Sequence, residues 1–94
     1  MKRDAETDWE KKLVEDVNSL SPDAVYLASL PWMDPILGKS ALATVDNDRQ
    51  QRAFDELLRI GFVHADVERG YTGYRSTYRG QQAVATCRGV FENA

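Results

Sequence analysis

Asp48–Thr77 reads DRQQRAFDELLRIGFVHADVERGYTGYRST, and a change of period inside it decides the fold. Over 48–60 the apolar residues Ala53, Phe54, Leu57, Leu58 and Ile60 recur at the spacing of one helix face. Asp46-Asn47-Asp48 are turn formers that also cap helices, and Gly61 stands where a glycine accepts the left-handed backbone that ends one. From Phe62 the period shortens to two. Val63, Ala65 and Val67 alternate with His64, Asp66 and Glu68, which predicts a strand with His64 facing solvent. Arg69-Gly70-Tyr71-Thr72-Gly73 then predicts a glycine-containing turn, and Tyr74-Arg75-Ser76-Thr77 a returning strand.

Outward from this stretch the chain is helical. Thr77 can cap a last helix over 78–91, with Ala83, Val84, Cys87, Val90 and Phe91 inward. Toward the N-terminus, residues 5–20 form an amphipathic pattern in which Trp9, Leu13, Val17 and Leu20 share a face. Glu6, Asp8 and Glu10 sit near the positive end of that helix dipole. Ser21-Pro22-Asp23 restarts the chain as N-cap, first-turn proline and first-turn acid, giving a second helix over 22–30. Pro31-Trp32-Met33-Asp34-Pro35 breaks it, and Pro35 can open a further helix over 35–45 with Asp34 as its cap, weakened by Gly38. No repeat, low-complexity tract or linker interrupts the chain, so residues 1–94 are expected to form one domain.

Composition narrows the function classes. An apolar fraction of 43% is that of a globular chain, and no apolar run approaches membrane-spanning length. The N-terminus lacks the apolar segment of a secretory signal, and the single Cys87 excludes an internal disulfide; a reducing, cytoplasmic home is expected. The net charge of −3 is unevenly distributed: residues 1–47 carry five Lys/Arg against nine Asp/Glu, residues 48–94 seven arginines against six acids. Every cation of the second half is arginine, which forms bidentate bonds to phosphate, carboxylate and guanine edges.

Arg52-Ala53-Phe54-Asp55-Glu56-Leu57-Leu58-Arg59-Ile60-Gly61-Phe62-Val63, followed by Tyr74-Arg75-Ser76-Thr77-Tyr78-Arg79-Gly80-Gln81-Gln82-Ala83-Val84, resembles the winged-helix family of helix-turn-helix proteins. The first segment looks like that family's recognition-helix ending, the second like its wing strand running into a terminal helix. The resemblance implies an α+β, mainly helical fold: a winged helix-turn-helix core over 34–91, an N-terminal helical extension over 1–33, and a C-terminal helix. Two departures stand out. Leu42-Ala43 lies closer to Ala53-Phe54 than the family register, and Gln50 occupies a position that is often a buried aliphatic.

The function implied by the resemblance is DNA binding and transcriptional regulation. The helix 48–60 would enter the major groove with Arg49, Gln50, Gln51 and Arg52 at its opening, and Arg69, Arg75 and Arg79 would touch phosphate from the wing. The bland counterpart is that these residues solvate a helix face, with Asp48 and Arg52 as an i,i+4 ion pair. Tyr71 near the loop tip and Trp9 are candidate protein contacts, Trp9 also as a homodimer seam; Tyr74 and Tyr78 are expected to pack the wing onto the terminal helix.

No catalytic apparatus is expected. His64 and Cys87 cannot supply the three or four ligands of a metal site, no serine has a nucleophile context, and no cofactor motif is present. The alternative to a DNA reader is an acidic winged-helix interaction module binding a basic protein surface, such as a phage-encoded, anti-CRISPR-like inhibitor of a nucleic-acid-handling complex. In a third reading the chain is an assembly subunit anchored by Trp9, Trp32 and Tyr71. The position of Asp4, Glu6, Glu10, Glu15 and Asp16 relative to the helix 48–60 separates the first two: clustered away from it they leave the DNA reading standing, flanking it they oppose DNA.

Overall fold

The computed structural model describes residues 2–30, 32 and 42–92, with side chains from Asp8 onward. Among the described residues, five helices and one antiparallel hairpin make up an α+β, mainly helical fold. The order is α1 (Lys2–Asn18), α2 (Pro22–Ala28), α3 (Asp48–Arg59), β1 (Val63–Glu68), β2 (Tyr71–Ser76), α4 (Tyr78–Thr86) and α5 (Arg88–Glu92).

Three helix starts have a capping side chain. The Ser21 hydroxyl accepts from the Ala24 amide at α2, the Asn47 side chain from Gln50 at α3, and the Thr77 hydroxyl from Gly80 at α4. Thr77 also donates its hydroxyl to the Gly61 carbonyl at 2.5 Å, and its amide to the Phe62 carbonyl at 3.0 Å. One residue thus ties the exit of α3 to the entry of α4. Gly61 leaves α3 at φ 78°, a backbone region that other residues enter only with strain.

The core is built from one face of each element. Leu13 and Val17 come from α1, Ala24, Leu27 and Ala28 from α2, Ala53, Phe54 and Leu57 from α3, then Phe62, Val63, Ala83 and Phe91. Phe54 is its aromatic centre. Tyr74 stacks on it at 4.6 Å between ring centroids and Trp32 tilts against it at 5.7 Å. Trp32 also donates its indole N–H to the Leu27 carbonyl at 3.1 Å, so it belongs to the core rather than to an anchor for a partner.

Several expectations are corrected here. Residues 35–41 of the expected third helix lie outside the described residues, as does its cap Asp34, but 42–45 are not helical. Ala43 instead exchanges both backbone hydrogen bonds with Tyr74, at 2.8 and 2.9 Å, adding a one-residue third strand to the outer edge of β2. Gly73 makes this possible: a methyl group there would overlap the Ala43 carbonyl oxygen and press on Leu42.

The hairpin turn is also shorter than expected. Glu68 pairs with Tyr71, so only Arg69 and Gly70 form the loop, and Tyr71, Thr72 and Gly73 belong to β2. Both loop residues have positive φ, 52° and 83°, the geometry that matches the twist of the flanking strands. The terminal helix is broken at Cys87, whose backbone at φ −108° and ψ 40° leaves the α region, giving α4 and α5. Leu58 and Val90, expected inward, are exposed, and Tyr74 packs on α3 rather than on the terminal helix.

The outer edge of β1 is capped at two backbone groups by its own side chains. Asp66 Oδ1 accepts from the Val67 amide at 2.7 Å. His64 Nδ1 lies 3.2 Å from the Ala65 carbonyl, which can only accept, so the contact requires the tautomer protonated at Nδ1.

Candidate interaction surface

The arginines proposed from the sequence to meet phosphate are distributed among internal partners. Arg49 grips Asp23 of α2 through Nε and Nη2, at 2.8 Å to Oδ2 and 2.7 Å to Oδ1, a bidentate pair at the surface. The hydrogen bond from Arg49 holds the Asp23 carboxyl below its usual value, and the same bond raises Arg49. Arg75 donates to Asp66 at 2.6 Å and meets Glu68 at 2.9 Å across the hairpin. The Asp66 carboxyl is lowered first by the Val67 amide and then by Arg75.

Arg79 points away from the hairpin surface. Its Nη2 donates to Asp16 of α1 at 2.5 Å, and its guanidinium lies 5.7 Å from the centre of the Phe62 ring. Burial alone would raise the Asp16 carboxyl. Hydrogen bonds from Arg79 and Lys12, reinforced by their charges, more than reverse this and hold it below its usual value. Arg79 is therefore a staple between α1 and α4.

The two glutamines are also engaged. Gln50 accepts from the Asp46 amide at 2.8 Å, and Gln51 donates to Asp55 and to the Tyr74 hydroxyl, both at 3.0 Å. Of the seven residues, only Arg52 and Arg69 make no hydrogen bond or ion pair among the described residues. The expected Asp48–Arg52 pair is not formed. Charges sum to zero on both elements: α3 carries three arginines against Asp48, Asp55 and Glu56, and the hairpin strands and turn two arginines against Asp66 and Glu68.

The acids beside α3 are Asp23 of α2 and its own Asp48, Asp55 and Glu56, none of them among the five N-terminal acids on which the choice between the two readings turns. On α1, Glu10 and Glu15 are exposed beside Lys11 and Lys12, while Asp16 is buried; the side chains of Asp4 and Glu6 lie outside the described ones. No uninterrupted acidic face results from the described part of α1.

Exposed large apolar side chains are spread over the described elements, among them Tyr26 on α2, Tyr78 on α4, and Val67 and Tyr71 on the hairpin. In the distal half of the hairpin, Val67 is 60% exposed on the same face as Ala65, and Tyr71 is 68% exposed on the opposite face with Glu68 and Arg75. Ala65, Val67 and Tyr71 border an open groove of about 720 Å³ whose other walls are Thr44, Val45 and Gln51. Trp9, by contrast, is less than half exposed on α1, and Tyr78 stands alone at the start of α4. Thr44 and Val45 were not singled out from the sequence, because their place follows from the bridge at Ala43, a contact 31 residues away in the chain.

No family model matches the chain, and no curated protein or solved structure matches it. Among the described residues no group of three or more His, Cys, Asp or Glu could hold a metal ion, and no helix is long and apolar enough to cross a membrane. Burial pushes the half-buried Cys87 thiol up, which makes it a poor nucleophile at neutral pH.

Proposed function

We propose that this chain is a non-catalytic protein-interaction module on a winged-helix-like frame, its contact surface being the distal half of the hairpin and the groove beside it. The architecture is supported by the order of a capped helix ending at Gly61, a two-stranded hairpin, and a helix capped by Thr77. The observation that carries the function is a contrast in partners. Arg49, Arg75 and Arg79 are held by carboxylates of this chain, while Val67 and Tyr71 stand bare on the hairpin. Contact energy in protein interfaces concentrates on aromatic and arginine side chains that a partner desolvates. Polyanion binding instead needs many free cations, each adding to a salt-dependent affinity.

Duplex DNA is the second reading, favoured by one observation: Arg49 and Arg52 are both exposed on the first turns of α3, and the Arg49–Asp23 pair lies where solvent and counterions reach it. Fluorescence anisotropy with mixed-sequence duplex, started at about 50 mM salt where phosphate contacts are strong, separates the two. The interaction-module reading expects no salt-sensitive binding, together with capture of a protein partner that Tyr71→Ser abolishes and Arg49→Ala/Arg52→Ala leaves intact. Binding that falls steeply with salt and disappears in the double arginine variant would establish the DNA reading instead.

A further inference from the structure

Arg69 occupies a position that its residue type does not favour. It is the first residue of the two-residue turn, at φ 52°, where Asn, Asp and Gly are the usual occupants because an ordinary side chain strains the left-handed backbone. Such strain persists when the side chain is used for something else. Within the molecule it is not used. Both carboxylates of the hairpin, Asp66 and Glu68, turn to Arg75, and Arg69 bonds to no described residue. It lies instead at the tip, two residues before Tyr71, the most exposed apolar side chain of the hairpin; Val67 is on the opposite face.

We infer that Arg69 is the recognition residue of the tip, presenting its guanidinium to a carboxylate on an acidic protein segment while Tyr71 covers an apolar neighbour of that carboxylate. This rests on the interaction-module reading and names the partner chemistry at the same site. Charge complementarity selects the partner. A single unpaired guanidinium suits one bidentate carboxylate. A nucleic-acid backbone would bring several phosphates toward Asp66 and Glu68, with no further free cation on the hairpin to meet them.

The test separates strain from recognition. Arg69→Asn suits the turn and raises Tm by about 2–4 °C, whereas Arg69→Lys retains the strain and leaves Tm unchanged. A random-peptide library displayed on phage is selected on the full chain. It should yield peptides with Asp or Glu beside an apolar residue, and both variants should weaken their binding by about tenfold or more. An Arg69→Asn chain no more stable than wild type overturns the inference. So do selected peptides that bind the variants as tightly as wild type, although these leave the interaction module standing. Failure to select any peptide, combined with duplex binding that Arg69→Asn abolishes, overturns both.

Discussion

The two ends of the hairpin are built to opposite rules. At its base, Phe62 and Val63 are buried, Tyr74 stacks on Phe54, and Thr77 bonds to both Gly61 and Gly80. At its tip stands a strained arginine, with Val67 bare on one face and Tyr71 on the other, and no described element covers them. The base holds the fold and contributes no free chemistry. The tip contributes little to the fold and carries the groups a partner can bury. Substitutions should therefore sort by position along fourteen residues of chain rather than by residue type.

The largest effect is expected at the base. Phe54→Ala removes the ring between Trp32 and Tyr74 and should cost about 3–5 kcal/mol, read as a fall in the denaturant midpoint. Gly73→Ala is next: its methyl group meets the Ala43 carbonyl, a backbone atom with little room to yield, at a cost of about 1–3 kcal/mol. Loss of the Ala43–Tyr74 bonds should appear as fast amide exchange at both residues. Should Gly73→Ala prove neutral, the third strand would not be part of the base.

The clamp between α2 and α3 should respond more weakly. The Glu56 carboxylate accepts from the Ser21 amide at 2.9 Å and from its hydroxyl at 2.5 Å, locking the α2 cap to α3. Glu56→Ala is expected to cost about 1–2 kcal/mol, measured by chemical denaturation. Tyr71→Ser at the tip should fall within about 0.5 kcal/mol of wild type while abolishing partner binding. A large loss of stability there would break the division between base and tip.

Acid tests the staple under the base. The folded Asp16 carboxyl lies below its usual value, so the stability from its pairing with Arg79 is complete above that value and is lost as pH falls through the folded one. Thermal melts should therefore decline toward low pH, and Asp16→Asn should flatten that decline. The exposed pairs at Asp23 and Asp66 titrate in the same direction but are screened by solvent.

Local chemistry was legible in the sequence. Ser21, Asn47 and Thr77 cap helices as their residue types and positions imply, Gly61 ends α3, and the switch of period at Phe62 marks the hairpin. What escaped depends on long-range geometry. The alternation at Val63, Ala65 and Val67 predicts a strand, but only the placement of α3 decides that Val63 is covered and the other two are not. The glycines around the turn blurred its length, since Gly73 serves the approach of Ala43 and not the turn. The seven candidate contact residues look alike as polar side chains along a chain; which of them meet a carboxylate depends on Asp16 and Asp23, on elements distant in sequence. Arg69 was singled out as a phosphate contact, and its unusual backbone became visible only with the two-residue turn.

A chain that exposes apolar side chains on a short hairpin risks meeting copies of itself. The edge of β1 blunts that risk: Asp66 occupies the Val67 amide and His64 the Ala65 carbonyl, two of the groups on which a second sheet would zip. Each backbone group occupied in this way is one fewer rung on which a copy of the strand could start a ribbon, while the side chains beside it stay open to contact.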